Sequence, residues 1–370
     1  MRVVFLSANL GGNVPPTLSI ARELSARGRD VEVAGVLVDT TGSHDGELRQ
    51  IECSWTQKRG ADGTPEPLGP ALARIFLSRA LAREAESLIR ARRPDVVVVD
   101  CMALALIAGA HHSDVPVVVL FHTFAEYWRR AFLHGPVSSM VGALGFSPQR
   151  LWDAAAARLL LTDPVLDPAR SDPEFADYAW TGTTEVGAAP QEDLADAAQE
   201  RPRVIVSLSS TALPGMRRVY RHAIEALGSL PVDAVVTTGG FALGTNVPAA
   251  PNVQIRGFVP HADILPGAAL VIGHGGHSTT MRALAHGIPL LVLPLNRTAD
   301  QHLIGGVIEE AGLGRRMSAR SSPERIRQTA AQVLQDRAMR TAARSAGARL
   351  RSAPPGARVA ADWIEEVARS

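Results

Sequence analysis

The sequence predicts an α/β protein made of two doubly wound halves, each a parallel sheet covered by helices on both faces. Three observations carry this expectation. The chain has 370 residues and is 46% hydrophobic, which is more than one ordinary core needs. Strand-length apolar runs recur between helical segments in both halves, the pattern of strands buried on both faces. A polar, acidic stretch, Ala188–Arg201, separates the two series. The expected division is an N-terminal domain over 1–190, a linker over 191–203, a C-terminal domain over 204–352 and a terminal helix over 353–370.

The first half opens with the strand VVFLS from Val3, followed by the amphipathic helix TLSIARELSARG and the strand VEVAGVLV. Two further apolar strands follow, DVVVVD ending at Asp100 and VPVVVLFH ending at His122. Between VEVAGVLV and DVVVVD, Ser43–Gly69 is polar and rich in Gly and Pro, and reads as a loop over the sheet rather than part of the core. After the linker the alternation returns: VIVSLS, a helix around RRVYRHAIEALGSL, DAVVTTGG, NVQIRGF, ALVIGHGG and LLVLPL. The last helix, RVAADWIEEVARS, gathers Val359, Trp363, Ile364 and Val367 on one face.

Composition narrows the function classes. Lys and Arg total 38 against 37 Asp and Glu, and nearly every cation is Arg, scattered among acids with no basic stripe. That argues against nucleic acid as a partner. Cys53 and Cys101 lie far apart without CxxC or Cys/His spacing, which suggests neither a disulfide framework nor a zinc site and fits a reducing cytoplasm. The N-terminus runs directly into a strand, leaving no room for a signal peptide, and the longest apolar runs have strand length, so no membrane span is expected. A homodimer is compatible with this composition.

The most informative segment is VIGHGGHSTTMRALAHGIPLLVLPLNRTADQ, Val271–Gln301. It reads as a buried strand, a glycine turn, a helix, a second buried strand and a polar loop. Bare glycines at 275 and 276 let backbone N–H groups approach an oxygen, and the following helix dipole favours negative charge there. Asp300 and Gln301 lie beyond the second strand, where open α/β sheets bind ligands.

This segment resembles the donor-binding motif of the UDP-glycosyltransferase superfamily of GT-B glycosyltransferases, in its bacterial natural-product branch. The matching positions are His274, Gly275, Gly276, Thr279, Ala283, Leu284, Gly287, Pro289, Asp300 and Gln301. Upstream, GFVPHADILP looks like the family's Trp-Val-Pro-Gln segment and puts Phe258 and Val259 where the family contacts the nucleobase. The resemblance implies a GT-B architecture of two Rossmann-like domains facing each other across a cleft, with the terminal helix crossing back onto the N-terminal domain. It implies a hexose donated by a UDP- or dTDP-sugar, which serves as co-substrate, with no further cofactor.

In such an inverting transferase the acceptor attacks C1 as the diphosphate leaves, and protein donors can stabilise the growing charge without a metal. His274, with Gly276, Ser278 and Thr279, is the donor set the resemblance implies; Asp300 and Gln301 match the pair that reads sugar hydroxyls, and Ser209 a loop near the diphosphate. An ordinary capped helix start at Ser278 or Thr279 is the bland reading of the same residues. A metal on His274 and His277 lacks a third ligand. Arg282 stands where many relatives carry a Glu that grips the ribose, so UDP and dTDP both remain open. Phe258 can stack on a base or serve as core.

The acceptor side departs from the family. Its Gly-His-x-x-Pro loop carries the general base, whereas this chain has Asn13 in LGGNVPP. An amide can bond an acceptor but has no usable proton affinity. Asp100, matching the Asp that supports the family's catalytic His, is the first substitute, with capping of the next helix as its structural alternative; His122 is the second. His111 and His112 read as helix-end residues. Phe124–Phe146, with Tyr127, Trp128, Phe132 and Met140, reads as an acceptor wall or as core. Without a strong base, a phenolic acceptor or a phenolate-activated carbon is favoured among hydrophobic natural products, giving an O- or C-linkage. Other readings are a non-catalytic nucleotide-sugar binder, a GT-B UDP-N-acetylglucosamine 2-epimerase, and a peptidoglycan-type lipid glycosyltransferase.

Overall fold

The computed structural model describes residues 1–9, 12–36, 48–56, 74–143, 145–185, 201–209, 211–245, 247–248 and 250–370. The chain divides into two compact units, Met1–Thr184 with Pro354–Ser370, and Glu185–Ala353. Most of the expected linker, and most of the loop from Thr40 to Gly69, lie outside the described residues.

The first unit is a seven-stranded parallel sheet with the order β3-β2-β1-β4-β5-β6-β7. Its strands are β1 (Arg2–Leu6), β2 (Asp30–Ala34), β3 (Arg49–Ile51), β4 (Val96–Asp100), β5 (Val117–Phe121), β6 (Ala157–Leu160) and β7 (Ala179–Trp180). Its helices are α1 (Val14–Ala26), α2 (Arg79–Arg92), α3 (Leu104–His111), α4 (Ala125–Trp128), α5 (Pro136–Gly142) and α6 (Pro148–Asp153), with a π-turn at Arg129–Leu133. Successive strand residues point to opposite faces, and both faces are covered. Val4, Leu6, Val97 and Val99 pack with α2, α3 and an aromatic cluster, while Val3, Phe5, Val96 and Val98 pack with α1 and the C-terminal helix. Two-sided burial is why these strands carry apolar residues at every position.

One expected loop is partly core. Arg49–Ile51 pairs with β2 as an edge strand, and Trp55 is 1% exposed with its indole N–H donating to the Ser7 carbonyl at 3.1 Å. The polar composition of this stretch reflects an edge strand, with only Ile51 of the three turned inward.

The second unit holds a six-stranded parallel sheet with the order β10-β9-β8-β11-β12-β13. The strands are β8 (Arg203–Ser207), β9 (Asp233–Thr237), β10 (Val253–Arg256), β11 (Ala268–Gly273), β12 (Leu290–Val292) and β13 (Gly314–Arg316). The helices are α7 (Met216–Gly228), α8 (His261–Ile264), α9 (His277–Ala285), α10 (Gln301–Glu310), α11 (Pro323–Gln335) and α12 (Arg337–Ser352). Val204, Val206, Leu270 and Ile272 form a core with α7 and α11.

The last helix, α13 (Gly356–Val367), belongs to the first unit. Arg27 and Arg29 on the α1 side bond Asp362 at 2.6 Å and Glu365 at 2.7 Å. Its buried face is Ala360, Ala361, Ile364 and Val367, and Trp363 is 40% exposed. The expected face is therefore rotated, with Ala360 and Ala361 turned inward beside Ile364 and Val367 and Trp363 turned outward. Among the described residues, no helix is long and apolar enough to cross a membrane.

Candidate functional site

In the first unit the strand order reverses between β1 and β4, and ligands of open α/β sheets bind outside the strand ends at such points. Asn13 stands there at the start of α1, fully buried. Its Nδ2 donates to the Ala8 carbonyl at 2.8 Å and to Ser7 Oγ at 3.3 Å. The amide nitrogen thus holds the β1–α1 loop together.

Asp100 ends β4 and is 2% exposed. Its Oδ1 accepts the Met102 N–H at 2.9 Å, a short turn ahead of α3, so part of its role is structural. Its Oδ2 lies 3.0 Å from Nδ1 of His122. The parallel register sets Asp100 opposite Leu120, so His122, two residues further on, arrives over the carboxylate. Asp100 is buried with this ring beside its Oδ2, so the two candidates form one pair. Despite the short distance, neither Asp100 Oδ2 nor His122 Nδ1 makes an aligned hydrogen bond among the described residues. The His122 ring stands edge-on to Trp128, 5.4 Å between centroids.

The proposed acceptor wall is mostly core. Phe124, Trp128 and Phe132 are buried and Trp128 packs on Phe132 at 5.1 Å, whereas Met140 is exposed and Tyr127 is half-buried. His111 ends α3, its Nε2 2.8 Å from the Leu151 carbonyl, and His112 caps that helix.

In the second unit the reversal lies between β8 and β11. His274 follows β11 and is buried; its Nδ1 has no hydrogen bond among the described residues. Burial holds its imidazole at a pKa of about 4, so it is neutral near pH 7. The next two residues must be glycine. Gly275 has φ +86°, and a Cβ there would sit 2.8 Å from the Gln301 carbonyl oxygen. A Cβ on Gly276 would meet the His274 ring at 2.8 Å. Gly276 is the N-cap of α9, without a side-chain cap, so neither Ser278 nor Thr279 caps this helix. Thr279 is half-buried on its first turn.

Ser278 and Arg282 have a partner that sequence reasoning missed. The buried Glu185 accepts from Ser278 Oγ at 2.5 Å and from Arg282 Nε at 2.8 Å, with a second guanidinium contact to the same carboxylate. Arg282 also reaches Nδ1 of His261 at 3.4 Å, and His261 Nε2 lies 2.9 Å from Ser207 Oγ. A guanidinium only donates, so Nδ1 accepts and the proton sits on Nε2, which donates to Ser207. Burial, then Arg282 and His286, lower His261 to a pKa of about 4. Arg282 and Ser278 thus serve a network that ties the chain entering this unit to α9, α8 and the end of β8.

Asp300 is half-buried at the N-cap of α10. Gln301 is buried, and its Oε1 accepts from the backbone N–H groups of Leu295 and Asn296 at 2.7 and 2.9 Å. Its carbonyl end therefore shapes the loop. Ser209 Oγ accepts the Thr211 N–H at 3.0 Å after β8. Phe258 is 81% exposed, so it is not core, and Val259 beside it is half-buried.

Comparisons with known proteins bear on the family and the fold. Residues 221–366 match the family described as erythromycin biosynthesis protein CIII-like, C-terminal domain, and residues 16–157 match glycosyltransferase family 4. Demethyllactenocin mycarosyltransferase of Streptomyces fradiae is 30% identical over 335 residues, covering 79% of this chain and 70% of that protein. NDP-glycosyltransferase YjiC of Bacillus subtilis (strain 168) is 24% identical, over 82% of this chain and 81% of its own. Among solved structures, the glycotransferase of kitacinnamycin has a TM-score of 0.77 at 20% identity, covering 99% of this chain and 98% of that one. The glycosyltransferase VinC, solved in complex with DTDP, has a TM-score of 0.71 at 19% identity, with both chains covered completely. Two parallel Rossmann-like sheets, the glycine-built loop at His274 and a relative of this identity and coverage lead to one assignment: the chain belongs to the bacterial natural-product glycosyltransferases and has the GT-B fold.

Proposed function

We propose that this glycosyltransferase moves a hexose from a UDP- or dTDP-sugar to a hydrophobic natural-product acceptor, inverting the anomeric centre and using no metal at the diphosphate. The observation that carries the reading is the loop His274–Gly276. It combines a glycine with φ +86°, a helix N-terminus and a buried imidazole nitrogen without a hydrogen bond among the described residues. Buried polar atoms are normally satisfied, so such a nitrogen beside an anion-favouring helix end fits a diphosphate oxygen. Thr279 adds a hydroxyl, Asp300 and the Gln301 amide fit the sugar hydroxyls, and exposed Phe258 fits a stacked base. Two solved neighbours, VinC and spinosyn rhamnosyltransferase SpnG, are complexes with thymidine diphosphate, which favours dTDP among the two donors.

For the acceptor, the Asp100–His122 pair supports general-base chemistry. With Nδ1 of His122 turned to Asp100, Nε2 takes the acceptor proton as the acceptor oxygen bonds to C1 and the C1–O bond to the diphosphate breaks. The carboxylate, 3.0 Å from Nδ1, stabilises the imidazolium by its charge. This replaces the histidine that Asn13 lacks, and it suits weakly acidic phenols best, since these need the least help in losing a proton. Asn13 itself acts through the loop it holds.

Calorimetric titration with dTDP and UDP, paired with mass spectrometry of a phenol and macrolide panel, tests the reading. Saturable nucleotide binding and a hexose-bearing phenol are expected. Nucleotide binding with neither transfer nor donor hydrolysis across the panel would favour a non-catalytic nucleotide-sugar binder instead.

A further inference from the structure

We propose that Asp100, Cys101 and His122 form a three-ligand site for a thiophilic divalent cation, Zn2+ in the first place, whose binding switches off transfer. The carboxylate, thiol and imidazole ligand atoms all lie within 4.8 Å of one another. Zinc with nitrogen and oxygen at about 2.0–2.2 Å and sulfur at about 2.3 Å sets its ligands roughly 3.4 Å apart, so small side-chain shifts close the cluster on an ion. Asp100 Oδ2 and His122 Nδ1 are 3.0 Å apart yet not aligned with each other as a hydrogen bond, which fits two groups aimed at a shared third point.

The surroundings also match a metal site. Asp100 is 2% exposed and Cys101 fully buried, and the far oxygen of Asp100 is pinned by the Met102 amide, as outer partners orient ligating carboxylates. In such a dry place net charge is costly. One divalent cation with a carboxylate, a thiolate and a neutral imidazole sums to zero. Mixed sulfur, nitrogen and oxygen ligands select zinc over magnesium or calcium. Three protein ligands leave a fourth position for water. Because the ion would take the carboxylate oxygen and the ring nitrogen that the proposed base uses, the switching half of the proposal rests on that reading; the binding half does not.

Cobalt(II), a spectroscopic stand-in for zinc, is titrated into the metal-free full-length protein. One equivalent is expected to bind with an intense sulfur-to-cobalt charge-transfer band, displaced by Zn2+. Cys101→Ser should abolish the band, and Asp100→Asn and His122→Gln, which keep side-chain shape, should each weaken binding at least tenfold, with circular dichroism confirming folding. In parallel, Zn2+ should inhibit transfer with the midpoint at which it displaces cobalt. Absence of a saturable band, or a band that survives in Cys101→Ser and so belongs to Cys53, would overturn the site. Saturable binding with undiminished transfer would overturn the switch. A metal-free enzyme that transfers nothing while the band forms as expected sinks the transfer reading and leaves the site standing.

Discussion

Gly275 shows how much of this protein is decided by one atom. Its φ of +86° and the 2.8 Å from a hypothetical Cβ to the Gln301 carbonyl leave no room for a side chain. Gly275→Ala is expected to cost about 2 kcal/mol of stability from left-handed strain and overlap, and to weaken nucleotide binding at least tenfold; unchanged titration and melting curves would refute this. At this scale, legibility in the sequence depended on whether function is local. His274, the two glycines, Thr279, Asp300 and Gln301 sit at fixed spacings along one strand–helix–strand unit, so residue type and position were enough to single them out. Glu185 was invisible, because it meets Ser278 across 93 residues of sequence and carries no local signal. For Asn13 the place in the loop was readable, but its burial and bonding were not.

Among elements, parallel strands buried on both faces are announced by continuous Val and Ile runs, and the turns between them by Gly and Pro. Edge elements are quieter: among the described residues Arg49–Ile51 pairs with β2 on one side only, so polar residues are tolerated there and the run reads as loop. Register also escaped the sequence, since Asp100 and His122 were separate candidates until the β4–β5 pairing set one over the other. Helix α9 gives the sharpest test at this scale. Arg282→Ala leaves the Glu185 carboxylate buried beside Ser278 without its cation, and a loss of about 3 kcal/mol is expected. Adding Glu185→Gln should restore most of it, because the uncompensated charge is gone. Chemical denaturation of the two single variants and the double variant measures this, and additive losses would contradict the coupling.

For the whole molecule, two buried histidines of the second unit set how stability responds to pH. His261 and His274 are lowered to about 4, chiefly by burial, from an ordinary value near 6.5. A lowered histidine pKa means that the unfolded chain binds more protons, so stability is complete above about pH 6.5 and is lost as pH falls toward 4. Asp167, pushed up to about 6 by burial, works in the other direction between about pH 6 and 4, offsetting part of the loss. Melting temperature should therefore fall between pH 6.5 and 4, and the His274→Gln variant should show a shallower fall than the wild type; parallel curves would contradict the buried neutral state.

We propose that the His274 loop of the second unit holds the nucleotide sugar, and that His122 of the first unit, with Asp100 behind it, deprotonates the acceptor. Transfer rates and nucleotide affinity, measured together in metal-free wild type, Asp100→Asn, His122→Gln and the double variant, test it most directly. Each single variant is predicted to lose at least 100-fold in kcat, the double variant little more than either, and all to bind dTDP or UDP as the wild type does. Full transfer by His122→Gln would contradict the account.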